Sequence, residues 1–327
     1  MDAESLRRLR NSRWSRDPVI APSGAAIAVC PTERDVEIFR LLDRFRYLPS
    51  DYIHAFVGGS EKALSHRLNL LSRKPNLYLS RPQQQRQCAD ANYRRLIYQL
   101  DERGSRFLRE RGFPASIRGY HRNFPHELLV AQITASIELG VRESTNIRLI
   151  TWGEIAARES TTLSTRRSER PNAIPVSYSL RGEHRSEYVV ADARPFGLER
   201  VIDSRRSYLF FPGIEADCGT EPIDARDADR SSIAKKFAAY MAIAHRGIHR
   251  SHFGFPNFFV PFVTNGAARM DSMMQALDRL TNGQGSKIIL FKHVPGFASS
   301  EKPLPAGGHM LSLPWRRVGF PSLSFDR

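Results

Sequence analysis

Between Thr32 and Phe45 apolar side chains recur every three residues, so that Val36, Phe39, Leu42 and Phe45 share one helical face. Thr32, followed by Glu33 and Asp35, supplies the cap and the early acids that start a helix, and residues 32–46 read as an amphipathic one. A second helix is expected over 50–57, opening at Ser50, before Gly58 and Gly59 break the chain. Ser60 then caps a third helix reaching about Ser72. In it Ala63, Leu64, Leu68 and Leu71 face inward, while Lys62, His66, Arg67 and Arg73 face outward. The period then changes. Residues 76–80 and 93–100 read as extended runs around a polar, Gln-rich tip, as in a hairpin with a long loop, and 101–111 as one more helix. Three helices followed by a two-stranded ribbon is the order of a winged helix-turn-helix. That architecture lays its last helix in the major groove and its hairpin on the backbone or minor groove of duplex DNA.

The second half alternates helices and strands. A helix is expected over 126–139, ended by Gly140, and a short strand over 147–152. An Arg- and Ser-rich loop spans 158–172, and β-like runs follow at 174–180 and 187–193 on either side of Arg181 and Gly182. One strand is expected from Tyr208 to Asp217, then a helix over 228–247, a strand over 257–264, a helix over 266–281 and a strand over 287–291. This order suits an α/β domain over a mixed sheet. Trp152 and Phe196 read as core. The boundaries that follow are a basic arm without fixed structure over 1–31, a winged helix over 32–120, an α/β domain over 121–294, and an extended, Pro- and Gly-rich tail over 295–327.

Charge adds a partner to this picture. The chain carries 49 Lys and Arg against 34 Asp and Glu, a formal charge of +15, and nearly all of the basic residues are Arg, which forks onto phosphates. Residues 1–124 hold 23 of the basic and 13 of the acidic residues, so most of the surplus belongs to the N-terminal part. Arg67 and Arg73, with Arg81, Arg86, Arg94 and Arg95 on and around the ribbon, make double-stranded DNA the expected partner rather than a protein. A second copy of the chain is a further candidate partner. Cys30, Cys88 and Cys218 lie too far apart for a disulfide framework or a zinc cluster, which points to a reducing cytoplasm. No apolar run approaches the length of a membrane span. The start, with Arg7, Arg8, Arg10, Arg13 and Arg16 before a weakly apolar stretch, imitates a signal peptide, but Pro22 and Gly24 interrupt it.

Against this basic background the acids at the end of the strand over 208–217 are out of place. Glu215 and Asp217 are two residues apart, so on a strand both carboxylates project to one side. Asp192 closes an earlier apolar run, Tyr188 to Asp192. Acids converging at strand ends can hold Mg²⁺ or Mn²⁺ beside a phosphate, where the ion stabilises the charge that phosphodiester cleavage develops. The bland reading is that they are strand-end residues paired with some of the many arginines. Other constellations are weaker. His245, His249 and His252 share a helical face that could bind zinc, but Gly247 and the Arg-rich surroundings suit a solvated helix end. Residues 58–62 lack the spacing of a phosphate-binding loop. Tyr208 and Tyr240 are candidate nucleophiles for a covalent phosphate intermediate, although their apolar surroundings favour burial.

The acids resemble those of the PD-(D/E)xK nuclease superfamily. Asp192 stands where that superfamily has its first Asp, and Glu215-x-Asp217 where it has Glu-x-Lys. Asp217 thus occupies the lysine position, and Lys235 or Lys236 near the start of the next helix is the candidate replacement. Glu127, on the helix over 126–139, is the candidate outer acid of the metal shell. More widely, residues 32–42, the ribbon, the segment from His126 to Val130 and Glu215-x-Asp-x-Gly-Thr-Glu221 are similar to the replication-relaxation family. That resemblance covers about 32–292 and implies an α+β chain in which a winged helix precedes a restriction-endonuclease-like domain. It further implies a protein of plasmids or other mobile elements, related to MobC-type relaxases, that recognises and nicks a DNA origin with Mg²⁺ or Mn²⁺. A non-catalytic regulator or replication-initiation factor, using the nuclease fold as a scaffold, is the alternative.

Overall fold

A computed structural model of the chain describes residues 27–86, 96–113, 123–168, 170–224, 231–297 and 304–326. The chain divides into two units, residues 1–135 with 296–307 and residues 136–295 with 308–327. The expected arm over 1–31 lies almost wholly outside the described residues, as does the tip of the ribbon.

Among the described residues the first unit's first helix is α1 (Glu33–Phe45), started by a full capping box: the Thr32 hydroxyl accepts from Asp35 N, and the Asp35 carboxylate accepts from Thr32 N at 2.7 Å. A two-residue strand β1 (Leu48–Pro49) leads to α2 (Ser50–Val57), and Ser60 caps α3 (Glu61–Leu71). β2 (Leu79–Ser80) and β3 (Ile97–Leu100) follow, then α4 (Glu102–Glu110), capped by Asp101. The sheet order is β1-β3-β2, all antiparallel, with Leu48 opposite Tyr98 and Leu79 opposite Leu100. A strand of two residues is too short to leave a periodic trace, so only the sheet identifies β1. Gln85 explains one of the glutamines of the polar run after β2. Its buried amide donates to Ile97 O at 2.8 Å and accepts from Ile97 N at 3.0 Å, satisfying backbone that β3 would otherwise leave unpaired. Phe39 stacks on Tyr78 with ring centroids 5.6 Å apart, and Phe107 packs edge-on against both rings. In α3, Leu64, Leu68 and Leu71 are buried as expected, whereas Ala63 is exposed.

The division between units falls inside α5 (Phe124–Glu143). Gly140 does not end this helix. A Cβ there would lie 2.6 Å from Leu311 Cβ, so the glycine serves close packing rather than termination. β4 (Ile147–Ile150) and α6 (Trp152–Ala156) follow, the latter started by a Thr151–Glu154 capping box. Within the expected loop over 158–172 lies a short α7 (Leu163–Arg167). β5 (Ala173–Leu180) and β6 (Glu183–Val190) form a hairpin whose turn, Arg181-Gly182, has positive φ at both residues (54° and 82°), the geometry that matches strand twist.

The single strand expected from Tyr208 to Asp217 is two strands. β7 (Phe196–Ile202) pairs with β8 (Arg205–Phe211), and Pro212-Gly213 separates β8 from β9 (Glu215–Asp217). Then come α8 (Ile233–His245), α9 (Ile248–Phe253), β10 (Val260–Thr264), α10 (Ala267–Leu280), β11 (Ile289–His293) and α11 (His309–Ser312). β9, β10 and β11 form a parallel sheet of order β11-β10-β9; β4, β7 and β8 form an antiparallel one. The architecture is mixed α+β. Phe237 from α8 packs edge-on against Phe262 and Phe291 of the parallel sheet, at 4.9 and 5.7 Å, which sets α8 over the face that carries Glu215.

The described residues after 295, expected to form an extended tail, are packed against the rest of their units. Ala306 N donates to Asp51 in the first unit at 2.8 Å. In the second, Arg316 bridges to Phe291 on β11, and Trp315 and Phe325 are fully buried, their rings stacked 5.1 Å apart.

Candidate functional site

β9 is three residues long, yet it holds the acids because of what flanks it. Gly213 has φ 153°, and a Cβ on it would lie 2.4 Å from Ala191 Cβ and 2.6 Å from Ala193 O. Only a glycine lets the two segments approach so closely. Asp192, between those alanines, then donates its N–H to Ile214 O at 2.8 Å, and its carboxylate accepts from Ala216 N at 2.8 Å. Asp192 therefore lies two residues beyond β6, against the strand that carries Glu215.

Glu215 is 2% exposed. One oxygen accepts from Lys236 Nζ at 2.8 Å and the other from the Tyr240 hydroxyl. Lys236 and Tyr240 are one helical turn apart on α8, which is why both reach the same carboxylate. Lys236 also lies 3.0 Å from Glu221 Oε2, while the Ser231 hydroxyl donates to the other Glu221 oxygen. Asp217 shares this corner but faces a different partner. Arg269 grips it in a fork, Nε to Oδ2 at 3.0 Å and Nη2 to Oδ1 at 2.9 Å, and the Thr264 hydroxyl donates to Oδ2 at 3.1 Å.

Burial pushes the Glu215 carboxyl up to about 7; Lys236 and the Tyr240 hydroxyl pull against that rise, and the Asp192 charge adds to it. Burial also acts to lower Lys236, but Glu215, Asp192 and Glu221 outweigh it and hold the ammonium above the ordinary lysine range. Tyr240 is raised well above its usual value by burial and by Glu215, to which its hydroxyl donates. Burial, then Asp217 and Asp192, pushes the Cys218 thiol up to about 11.

Of the residues singled out in the sequence, Asp192, Glu215, Asp217 and Lys236 converge. Lys235 is buried on α8, roughly 100° around the helix from its neighbour. Glu127 falls in the first unit. Among the described residues no group of three His, Cys, Asp or Glu side chains is arranged to hold a metal ion. The histidines do not converge either: His249 Nδ1 faces Ile243 O at 3.4 Å, and His252 Nδ1 faces the Thr165 hydroxyl at 3.2 Å. Tyr208 is exposed on β8, not buried as its apolar surroundings suggested.

On α3, Lys62 and His66 are exposed. Arg67 is not turned outward as expected. Its guanidinium forks onto Asp35, with Nη2 2.6 Å and Nε 3.0 Å away, and donates to Cys30 O at 2.8 Å. Arg73 and Arg81 are half-buried; Arg94, Arg95 and the side chain of Arg86 lie outside the described residues.

Sequence reasoning gave Glu221 no role beyond its place in the string, passed over Arg269 and Thr264, and weighed Tyr240 only as a nucleophile or a buried residue. Tyr240 had a signal, its spacing of four from Lys236. Arg269 had none, being 52 residues from the aspartate it grips.

Residues 39–257 match the family model described as replication-relaxation. No curated protein and no solved structure matches the chain.

Proposed function

We propose, from the premise that this chain belongs to the replication-relaxation family, that it recognises duplex DNA of a plasmid or other mobile element and nicks it. The first unit is the reader. Its order of helix, strand, helix, helix and paired strands is that of a winged helix, and the exposed Lys62 and His66 lie on the helix that such a fold lays in the major groove. The second unit is the candidate nuclease. The observation that carries this reading is Lys236 Nζ 2.8 Å from Glu215, beside Asp192. Two acids and a lysine are together, the lysine coming from α8 rather than from position 217.

Asp192 and Glu215 are the side chains that would hold Mg²⁺ or Mn²⁺. They are hard oxygen donors, and the proton affinity of Glu215 is raised by a burial that a bound cation would counteract. Asp217 fits that ligand set less well, because the Arg269 guanidinium forks across both of its oxygens, whereas Glu215 shares its oxygens between Lys236 and the neutral Tyr240 hydroxyl. A bound divalent ion would supply charge stabilisation at the scissile phosphate and lower the pKa of an attacking water. Lys236 presents a fixed positive charge to the transferring phosphate, in a corner where burial strengthens its effect. Tyr240 fixes the orientation of the Glu215 carboxylate.

A second reading rests on the same corner. Both Glu215 oxygens already accept protein donors, which suits a nuclease scaffold retained by a non-catalytic replication or regulatory factor. Supercoiled plasmid carrying the element's own origin, incubated with the full chain and Mg²⁺ or Mn²⁺, separates the two. Nicking that Asp192→Asn and Glu215→Gln each abolish, with salt-sensitive binding retained, supports the nuclease. Tight binding to plasmid that stays supercoiled supports the factor. Lys62→Ala should weaken binding in either case and lower the salt slope by about one.

A further inference from the structure

Asp217 stands where a catalytic lysine was expected, and its surroundings suggest why an aspartate is there. It is almost fully buried and engaged on both oxygens by Arg269, which rises from the first turn of α10. The same Arg269 Nη2 also donates to the backbone carbonyl of Glu221. One guanidinium thus ties together both ends of the loop from 217 to 221, which turns at Gly219 with φ 79°. Thr264 completes the anchor from β10, where it is the register partner of Asp217.

Closing the loop gives Glu221 a defined place. One of its oxygens receives the Ser231 hydroxyl and the other lies 3.0 Å from Lys236 Nζ. Lysine carries four rotatable bonds and much rotamer freedom, so a single contact with Glu215 would leave its head group poorly fixed. Held between Glu215 and Glu221, it is fixed from two sides.

We propose that Arg269 and Asp217 are a positioning clamp for Lys236, acting through the backbone and then the carboxylate of Glu221. This rests on the reading of Lys236 as the cation of the site. In the string Glu215-x-Asp-x-Gly-Thr-Glu221 the first Glu is then the acid of the site, the Asp its anchor, and the last Glu the second tether of the lysine. Arg269, on a distant helix, is the residue that joins the last two.

Brief reductive methylation of the full-length protein at one fixed pH, read by peptide mass spectrometry, tests the clamp. Labelling of Lys236 is compared with that of the exposed Lys62, and backbone hydrogen exchange is followed over the segment 216–222. Arg269→Lys keeps the charge but loses the fork. It should raise relative labelling of Lys236 at least fivefold and speed exchange in the loop, while β10 and β11 keep their protection. Glu221→Gln leaves the Arg269–Asp217 pair intact, so it should raise Lys236 labelling to a similar extent with the loop still protected. Labelling of Lys236 that stays at the wild-type level in Glu221→Gln overturns the proposal, as does unchanged labelling in Arg269→Lys once its loop exchanges faster. If Arg269→Lys loses protection throughout, the Glu221→Gln result decides alone. Should the wild type nick plasmid, Arg269→Lys lowers kcat and leaves KM for DNA unchanged. Should it not nick, the nuclease reading falls, and the labelling still decides the clamp.

Discussion

Asp35 is 1% exposed and serves two elements at once. It closes the capping box of α1 and receives the Arg67 fork from α3. Burial alone would raise its pKa, but hydrogen bonds from Arg67 and Thr32, with the Arg67 charge, hold it below the usual carboxylate value. A lowered acid contributes stability that is present above its unfolded pKa and is lost as the pH falls through the folded one. Arg67→Ala should therefore cost roughly 2–3 kcal/mol in urea unfolding at neutral pH, somewhat less than a wholly buried pair because the arginine is 27% exposed. It should leave the salt slope of DNA binding unchanged, where Lys62→Ala changes it. Helical spacing had put Arg67 on the outward face with Lys62 and His66. A long arginine can curl back onto an acid that the pattern cannot see.

Strand breaks decide the site at the scale of elements. An apolar run that ends in two acids looks like one strand from Tyr208 to Asp217, yet Gly213 turns it so that β8 joins an antiparallel sheet and β9 a parallel one. Gly213→Ala meets both a backbone conformation that side chains disfavour and a Cβ 2.4 Å from Ala191. It should destabilise the fold by about 2–4 kcal/mol in thermal or urea unfolding, combining strain with overpacking. Gly182→Ala, in the hairpin turn where nothing lies within 4 Å, should cost only about 1 kcal/mol for its left-handed backbone. Equal costs for the two would mean that the close approach beside Asp192 is not what Gly213 provides. Gly140 carries the same lesson for helices: a glycine near an expected end marks close packing as readily as termination.

Across the molecule, the chain returns to the first unit over 296–307 and then closes the second over 308–327. Lys292, buried on β11, binds this last segment. Its ammonium donates to the carbonyls of Met310 at 3.2 Å and of Leu313, and lies 4.3 Å from the Trp315 ring centroid. Burial pushes Lys292 down to about 7, with Asp326 opposing. Because its ordinary value is 10.5, the unfolded chain binds more protons between those limits, and this group makes stability rise as the pH rises from about 7 to 10.5. Lys292→Met should flatten that slope by up to about 1.4 kcal/mol per pH unit, measured as unfolding free energy against pH. A slope unchanged in the variant would mean that Lys292 keeps its charge throughout that range.

The sequence by itself determined what local rules govern. Caps and helical spacing set α1, α3, α4 and α10 close to their observed limits, since Thr32, Ser60 and Asp101 bond amides within three residues of themselves. It also singled out Asp192, Glu215 and the pair Lys235 and Lys236, because acids ending apolar runs and lysines opening the next helix are short-range patterns, but not which lysine meets Glu215. The tertiary structure alone decided which partner each charge has. Asp217 meets Arg269 from 52 residues away, and Arg67 meets Asp35 from 32. The segment after 295, polar and rich in Pro and Gly, is ordered by Trp315 and Phe325 entering a core built elsewhere in the chain. Such pairings depend on how the sheets close, and neither composition nor period carries that information.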